Sequence, residues 1–563
     1  MEEVGICYNR TMIRDAIVKA LKATTGSEDI RLYNPSISEH GDYATNVALT
    51  LAKRLKKSPR ELAEDIREKL IKDIKLMKLI KEIQIAGPGF INFWISDDVL
   101  AEVIARTTEV PQEAGRRGVV EYSSPNIAKP FGIGHFRSTI IGDAVANLLE
   151  ATGWEVHRDN HLGDWGTQFG KQIYAIKAWS NVDSIEKSRN PVKVLVDLYV
   201  KFHEESRGDL SLEKKAREEF KKLEEGDEEN RKIWQFCVDV SLKEFRRVYD
   251  MLGIKFTEND GVGYGESYFE AMMQPVINEL IQKGLLKEGE DGAKLVFFPE
   301  DKYPPFMIVK KDATTLYATR DLATDKFRLD KYGADVVIIN EVGAEQSLYF
   351  QQLFEVERML GWVKEGQRVH IKHGLFKLKD KKMSTRKGDI VWLEEVIDEA
   401  IKKAKKLGSD KKLAKKVAIG ALKWNELKRD PLADIVFDWD EVLNMEGNSG
   451  PYLQYTYARA SSILEKSLPE KETISWPFDH SERKVARVLI HYPEIVKDAA
   501  NFYSPHILAT YLFNLAQTFN SFYNAERVIG HERERTRLLL TRAMGSVIKN
   551  GLNLLGIEAP EKM

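Results

Sequence analysis

The sequence predicts a multidomain α/β protein, with a small α/β domain first, a parallel-sheet domain with a helical insertion next, and an all-α domain last. With 563 residues, the chain is too long for one hydrophobic core. Strand-like and helix-like segments alternate in its middle part, and the strands disappear after about residue 400. We therefore place the domains at residues 1–116, 117–400 and 401–563.

The first domain mixes helical and strand-like periodicities. Apolar residues recur at helical spacing in ATNVALTLAKRLKK (44–57) and PRELAEDIREKL (59–70). The segments KEIQIAG (81–87) and FINFWIS (90–96) are strand-like, and the glycines and proline at 87–89 favour a turn between them. These features predict a compact α/β domain.

The middle domain alternates strands and helices, with HFRSTIIGDAVANLLEAT (135–152) as the first helix. The strand-like segments are GVVEYSS (118–124), WEVHRDNHLG (154–163, a strand and its loop), PFMIVKK (305–311), ADVVIIN (334–340) and RVHIKHG (368–374). Such alternation predicts a mostly parallel sheet that binds ligands at the carboxyl ends of its strands. Residues from about 180 to 250 are dense in charge at helical spacing and are interpreted as a solvated helical insertion.

The last domain shows only helical periodicity. The segments 506–529 and 535–556 are long and amphipathic, which predicts an all-helical fold.

Bulk composition excludes several classes of protein. Hydrophobic residues make up 43% and charged residues 31%, as in globular proteins, and no apolar run approaches the roughly 20 residues that span a bilayer. The start MEEVGICYNR has no export-signal pattern, so we expect a cytoplasmic protein. The two cysteines, Cys7 and Cys237, exclude a Cys-rich zinc site. A net charge of −2 argues against indiscriminate coating of nucleic acid but permits a local basic surface.

A first candidate anion-binding loop, SSPNIAKPFGIGHFRST (123–139), lies between a predicted strand and a predicted helix. Its small residues, Gly132 and Gly134 among them, would let a nucleotide approach the backbone, and a helix N-terminus favours phosphate. Lys129 and His135 are within reach of such an anion. Taken alone, the segment is more typical of an ordinary strand-to-helix turn.

A second candidate loop, KDKKMSTRKGD (379–389), follows the predicted strand 368–374. Lys382, Ser384 and Arg386 give it a composition suited to clamping phosphates. A solvated basic loop is the alternative. The two loops together are more specific than either one, because both follow strands of the same predicted sheet.

These loops resemble the HIGH and KMSKS motifs of class I aminoacyl-tRNA synthetases, and the intervening segments resemble the arginyl-tRNA synthetase family over nearly the whole chain. The matching segments are SSPNIAKPFGIGHFRSTIIGD (123–143), NHLGDWGTQFG (160–170), LYATRDLAT (316–324), VGAEQSLYFQQLF (342–354), MSTRKGD (383–389) and GLNLLGIEAPEKM (551–563). Ordered matches over such a length are far more specific than one motif.

The resemblance implies a Rossmann-type catalytic domain that activates arginine with ATP to arginyl-adenylate and then transfers arginine to the terminal ribose of tRNA(Arg). It implies Mg²⁺ bound with ATP and no dedicated metal site in the protein. Catalysis would come from positioning and charge stabilisation without a covalent enzyme intermediate. The family also implies a monomer with no membrane partner, and activation that waits for bound tRNA.

By resemblance, Gly132, Gly134, His135, Met383 and Ser384 bind ATP. The catalytic residues would be Lys129, His135, Lys382 and Arg386. Two of these positions depart from the class I pattern, because Gly132 replaces the first HIGH histidine and Arg386 replaces the second KMSKS lysine. In such family members a lysine just before the HIGH motif compensates, which here is Lys129; the alternative is a surface lysine.

The arginine site must match a planar cation, which requires carboxylates and flat hydrogen-bond acceptors. Tyr317 and Asp321 are four residues apart on a predicted helix and so share one face. By resemblance they bind the guanidinium and its stem, Glu266 and Gln346 add further contacts, and Asn126 holds the α-amino or carboxylate end. An ion pair or capping role is the alternative for Tyr317 and Asp321. His161 faces the substrate in one interpretation and is structural in the other.

The end domains resemble the parts of the family that contact tRNA. Phe90 and Asn92 match residues that stack on and read an unpaired base at the tRNA elbow near the D-loop, although Phe90 is equally compatible with a core position. Tyr523 and Met563 match residues that pack against anticodon bases. Tyrosines in 452–457 are more typical of a helical core.

Two rival interpretations stay open. The first is a catalytically inactive relative that only binds tRNA or arginine. The presence of Lys129, His135 and Asp321 argues against it, but the glycine at position 132, in place of the first HIGH histidine, is compatible with it. An enzyme of the same superfamily with another amino acid or a nucleotidyl substrate is disfavoured by the two tRNA-binding end domains and the acidic pocket.

Overall fold

The computed structural model describes residues 13–35, 37–289, 292–310, 317–378, 392–406, 410–466 and 477–563. The chain divides into two compact units. One unit combines the residues up to Glu113 with those from Met445 onward, and the other is Ala114–Asn444. The predicted domain bounds at 116/117 and 400/401 stay predictions. No helix within the described ranges is both long and apolar enough to cross a bilayer.

The N-terminal part of the first unit is an antiparallel sheet with helices packed on it. Its strand order is Leu32–Tyr33, Tyr43–Thr45, Phe90–Ile95, Ile80–Ala86. Its helices are Ile13–Thr25, Val47–Leu55, Pro59–Leu70, Ile74–Met77 and Asp97–Ala105, with a short 3₁₀ turn at Ser38–His40. The predicted turn between the two long strands requires glycine, because a Cβ on Gly89 would lie 2.7 Å from the Pro59 carbonyl oxygen.

The C-terminal part of the first unit is helical, as predicted for 506–529 and 535–556. Its helices are Gly450–Glu465, His480–Leu489, Tyr492–Asn501, Pro505–Ala525 and Glu534–Leu554. Buried polar contacts join it to the N-terminal part: the Tyr43 hydroxyl donates to Glu494 at 2.7 Å, and Arg483 donates to Asp42 at 2.8 Å. These partners are 0–3% exposed except Arg483, so the two parts form one packed body.

The second unit contains the parallel sheet that the alternation predicts. Its strand order is Arg368–His373, Val337–Gly343, Arg117–Glu121, Glu155–Asp159. Helices Ile133–Ala151, Tyr317–Tyr332 and Ser347–Met359 connect or follow these strands. Helix Ile133–Ala151 approaches the sheet closely at Gly142, where a Cβ would lie 2.2 Å from the Tyr122 Cβ.

The predicted insertion is helical. Between about 180 and 250 it comprises Val182–Glu186, Pro191–Ser206, Ser211–Glu224 and Glu228–Leu252, and the helix Thr167–Trp179 precedes it. The unit's other helices are Met273–Gln282, Leu393–Lys405, Lys411–Leu427 and Trp439–Val442, with 3₁₀ segments Asn259–Gly261, Glu266–Met272, Pro299–Asp301 and Ala344–Gln346.

Two strand predictions need correction. The segment 305–311 contains the strand Phe306–Val309, but it belongs to a separate antiparallel sheet with Leu286–Glu288 and Lys294–Val296. Strands do not end at about residue 400, because Ile435–Phe437 pairs in parallel with Phe376–Leu378. Short apolar runs indicate a buried strand without indicating its partner, which is why the sequence did not resolve either case.

Candidate active site

Loops converge at the carboxyl edge of the parallel sheet in the second unit. The strands Arg117–Glu121, Glu155–Asp159 and Val337–Gly343 are neighbours or near neighbours in parallel register, so the segments after them leave the sheet at one edge. Those segments carry Asn126, His161 and Gln346 respectively. The structure thus brings together residues that are more than 200 positions apart.

The loop that carries Asn126 is strained and firmly held. Ser123, Ser124 and Ala128 have left-handed φ values of 73°, 44° and 57°, a conformation that non-glycine residues rarely adopt. Hydrogen bonds secure it: Ser124 N donates to Asn160 Oδ1 at 3.1 Å, and Ala128 N donates to Ser241 Oγ at 3.0 Å. Strain supported in this way is typical of binding loops.

Asn126 itself is positioned against the next loop. Its backbone forms a parallel bridge with Gly163, and Ile127 N donates to the Gly163 carbonyl at 3.0 Å. A Cβ on Gly163 would lie 2.5 Å from Asn126 Oδ1, so any larger residue would displace the amide. Gly163, the first glycine of HLGDWG, therefore leaves space for the Asn126 side chain.

His135 lies in the first turn of helix Ile133–Ala151, beside the helix N-terminus. Its Nδ1 accepts a hydrogen bond from Gly132 N at 3.3 Å. Burial, with a smaller effect from Lys129, lowers the pKa of His135 to about 4. The ring is therefore neutral at physiological pH, and because Nδ1 accepts, the proton resides on Nε2, where it can be donated to an anion. A Cβ on Gly134 would meet no atom within 4 Å, so the backbone there is open to a ligand.

Lys129 precedes this helix and makes no ion pair with any described residue. Its ammonium lies 5.9 Å from the centre of the Tyr199 ring. Burial lowers the pKa of Lys129, and the Glu266 carboxylate partly opposes that effect. A partly buried cation without a close carboxylate is suited to an anionic ligand.

The helix Tyr317–Tyr332 carries Tyr317 and Asp321 on one face, as their four-residue spacing predicted. Tyr317 and Asp321 both face Tyr349: the two tyrosine rings are 5.0 Å apart, and the Tyr349 hydroxyl donates to Asp321 Oδ2. The Asp321 side chain is 27% exposed, and burial raises its pKa to about 6. Because burial destabilises the ionised form of Asp321, this carboxylate is suited to a cationic ligand that compensates its charge.

Glu266 lies next to the HLGDWG loop, and its backbone N donates to the Leu162 carbonyl at 3.0 Å. Arg320 Nη1 lies 3.4 Å from its Oε2, and burial raises its pKa. Asp164 fixes the segment, because its carboxylate accepts from Ser267 N at 2.8 Å and Ser267 Oγ at 2.7 Å. The mechanical role of HLGDWG is therefore to join the Asn126 loop to the Glu266 segment.

Trp165 of the same motif packs against the helical insertion. It is 5% exposed and contacts Trp234 and Phe220 of the helical insertion, each with ring centres 5.7 Å away. The motif thereby fastens the insertion to the site.

A buried network of ion pairs connects the helix Tyr317–Tyr332 to the parallel sheet. Arg328 donates to Asp159 at 2.7 Å and lies 2.6 Å from Glu121 and 3.1 Å from Asp325. Arg368 lies 2.6 Å from Asp325. Since Asp325 and Arg328 share the helix of Asp321, this network fixes that helix on three strands of the sheet. The sequence did not predict this ionic network or the contact of Tyr349 with Asp321, because the interacting residues are not related by a helical or strand spacing.

Gln346 is exposed and occupies the N-cap position of helix Ser347–Met359, which carries Tyr349, but its side chain makes no capping hydrogen bond there. The residues Lys382, Met383, Ser384 and Arg386 lie outside the described ranges. The chain that resumes after them is joined to the first loop: Trp392 forms an antiparallel bridge with Gly132, and Leu393 N donates to the Phe131 carbonyl at 3.1 Å.

The tRNA-contact residues predicted in the other unit differ in exposure. Phe90 is 40% exposed, whereas Asn92, on the same strand face, is only 3% exposed between its neighbours Ala44 and Gln84. Met563 is 37% exposed.

Tyr523 is half-buried and belongs to an aromatic cluster. The Arg459 guanidinium lies 5.5 Å from the Tyr523 ring and 4.9 Å from the ring of Tyr455, which is 39% exposed. Tyr457 is buried. Of the tyrosines assigned to the core from the sequence, Tyr455 instead adds to this exposed surface.

Three family models match the chain in order. They are the arginyl tRNA synthetase N terminal domain over residues 10–95, the catalytic domain of class I (R) tRNA synthetases over residues 99–439, and the DALR anticodon binding domain over residues 453–563.

Similar proteins cover nearly the full length. An arginine–tRNA ligase of Clostridium kluyveri is 40% identical over 94% of this chain and 95% of its own. One from Exiguobacterium sp. is 41% identical with the same coverage. Among solved structures, the arginyl-tRNA synthetase of Plasmodium falciparum has a TM-score of 0.82 at 26% identity over 97% of this chain and 98% of that one. That of Thermus thermophilus has a TM-score of 0.83 at 24% identity over 98% and 100%.

Proposed function

The chain belongs to the arginyl-tRNA synthetase family, and we propose which of its residues carry out the two steps of arginine–tRNA ligation. In the first step the carboxylate of arginine attacks the α-phosphate of ATP, giving arginyl-adenylate and pyrophosphate. In the second, the terminal ribose hydroxyl of tRNA(Arg) attacks the acyl carbon and releases AMP. The carboxyl edge of the parallel sheet is the site of both steps.

Arginine binds between the loops described above, with its guanidinium on Asp321. That carboxylate supplies the charge, Tyr317 lies beside the stem, and Gln346 contributes an amide from the neighbouring loop. Glu266 and Asn126 hold the α-amino and carboxylate end. The observation that carries this proposal is the Asp321 carboxylate, which is held in place by Tyr349 and has its pKa raised to about 6 by burial.

ATP binds along the loop before helix Ile133–Ala151. Gly132 and Gly134 let the phosphates approach the backbone, His135 donates from Nε2, and Lys129 neutralises charge that develops as pyrophosphate leaves. Lys129 thereby compensates for the glycine at 132.

The segment 379–391 lies outside the described ranges, and its assignment to the ATP site rests on its resemblance to the KMSKS motif. We propose that Lys382 and Arg386 act on the phosphates and that Met383 and Ser384 contact ATP. Mg²⁺ would arrive bound to the nucleotide. The described residues contain no group of three or more acidic, histidine or cysteine side chains that could hold a metal ion.

tRNA(Arg) is contacted by both parts of the other unit. Phe90 stacks on an unpaired base at the tRNA elbow, with Asn92 beside it, and Tyr523 and Met563 contact the anticodon loop. The single packed body formed by these two parts supports recognition of two distant regions of one tRNA. We propose a cytoplasmic monomer.

Competition by citrulline tests the arginine site without any mutation. Citrulline has nearly the shape of arginine, but its side chain is neutral. Citrulline leaves Asp321 without a cation. We therefore expect that inhibiting the charging of labelled arginine by half takes a citrulline concentration roughly 100-fold or more above the concentration of unlabelled arginine that has the same effect. Inhibition at equal concentrations would show that the pocket does not select by charge.

A further inference from the structure

His161 is a largely buried histidine whose ring nitrogens have no hydrogen-bond partner among the described residues. It follows the strand Glu155–Asp159, and its side chain is 12% exposed. Both ring nitrogens are shielded from solvent and make no hydrogen bond to any described residue. Buried polar atoms are nearly always paired in folded proteins, so two unpaired nitrogens on one ring call for an explanation.

The ring points into the acidic pocket. Its Nε2 lies 3.9 Å from Asp321 Oδ1, and one face packs on Phe269 with ring centres 5.7 Å apart. Glu121 and Glu266 interact electrostatically with the same ring from other segments, and Asp164 does so from the same loop. The imidazole therefore lies beside Asp321 and Glu266, the two carboxylates that the proposed function assigns to arginine.

The 3.9 Å separation is too long for a hydrogen bond between His161 and Asp321. The separation instead suits a hydrogen-bond donor group of a ligand that contacts both His161 Nε2 and Asp321 Oδ1. A guanidinium presents five N–H groups in a rigid planar fork, so it can donate to two acceptors at once. A lysine ammonium is a compact point charge that cannot match this spread of acceptors as well.

We propose that His161 is a further arginine-binding residue, whose Nε2 accepts a hydrogen bond from the substrate guanidinium while Asp321 accepts another. The inference rests on the proposed placement of the guanidinium at Asp321. The imidazole nitrogen supplies an acceptor at a fixed position and Asp321 supplies the negative charge, so His161 contributes shape selectivity and Asp321 contributes charge selectivity.

Amide substitutions at His161 identify the accepting nitrogen. A glutamine amide can occupy the place of Nε2, whereas the shorter asparagine amide reaches only the place of Nδ1. We expect His161→Gln to keep the KM for arginine within a few-fold of the wild-type value. We expect His161→Asn and His161→Leu to raise it roughly 10- to 100-fold and to reduce the preference for arginine over lysine.

A matched control is His370→Gln. His370 also has an unpaired buried Nδ1 and packs on an aromatic ring, with Phe350 4.5 Å away, but its Nε2 is bonded to the Val342 carbonyl. This variant should leave the KM for arginine unchanged. The assay is steady-state charging of tRNA with labelled arginine, with folding of each variant checked by thermal unfolding.

The outcomes separate this inference from the proposed function. If Asp321→Asn raises the KM for arginine and the glutamine and asparagine variants of His161 give equal values, His161 is not a ligand and the pocket stands. If Asp321→Asn leaves the KM unchanged as well, the proposed pocket is wrong. If His161→Leu fails to fold, the comparison of glutamine with asparagine decides.

Discussion

Replacing Asp321 with asparagine should stabilise the free protein and at the same time abolish its efficient use of arginine. The substitution keeps the size of the side chain and an oxygen that can accept from Tyr349. It removes only the negative charge and one acceptor. Stability and function should therefore change in opposite directions.

The effect on stability follows from the raised pKa of Asp321. Burial raises that pKa from 3.8 to about 6, so the folded state holds its proton to higher pH than the unfolded state does. The contribution of this carboxyl to stability is fully present below pH 3.8 and is lost as the pH rises through about 6. Above that pH the ionised group costs at most about 3 kcal/mol, and an uncharged asparagine avoids this cost.

The effect on function comes from the substrate's cation. A hydrogen bond to a charged group contributes about 1.5–3 kcal/mol, and removing one partner of a buried ion pair costs about 3–5 kcal/mol. We therefore expect kcat/KM for arginine to fall roughly 10²- to 10³-fold, since each 1.4 kcal/mol is about tenfold.

Charging kinetics and thermal unfolding at pH 7.5 measure the two effects on one preparation. A variant with a higher Tm and a much lower kcat/KM supports the reasoning. Unchanged kinetic constants for arginine would refute the assigned role of Asp321, and a lower Tm would refute the inference that its charge is held at a cost.

Further predictions concern pH, phosphate chemistry and tRNA. As the pH falls below about 6, Asp321 gains a proton, so the KM for arginine should rise, by about tenfold at pH 5; a flat profile from pH 5 to 7 would contradict this. Lys129→Ala should slow single-turnover adenylate formation by roughly 10²-fold with tRNA present, whereas the control Lys171→Ala, which removes an ion pair with Glu213 at 2.9 Å, should not. Tyr523→Ala should weaken tRNA binding by about 1–3 kcal/mol and spare arginine binding. Removing the last few residues, with Met563, should act in the same direction; equal tRNA affinity before and after truncation would exclude that contact.

Much of the fold could be predicted from periodicity, because local spacing determines which faces are apolar. The helix beginning at Tyr317 and the shared face of Tyr317 and Asp321 followed directly from a four-residue spacing. The strands ending at Glu121 and Asp159 followed from short apolar runs. The sheet to which the strand Phe306–Val309 belongs did not follow, since pairing is a long-range property.

The parts of the site that were missed depend on contacts between distant segments. Tyr349 bonds Asp321 across 28 positions, and Arg328 bonds Asp159 across 169. No spacing rule connects such pairs, and a buried arginine has the same sequence signature as an exposed one. HLGDWG was recognisable as a motif, but its function of joining Asn126 to Glu266 became clear only from the hydrogen bonds of Gly163 and Asp164.

The most direct test is charging of total cellular tRNA by the wild-type chain with each of the labelled amino acids, in the presence of ATP and Mg²⁺. We predict that only arginine is attached, and that omission of ATP abolishes the signal. Charging of tRNA with another amino acid, or no charging with arginine by a folded preparation given cognate tRNA, would contradict the assignment of this pocket to arginine.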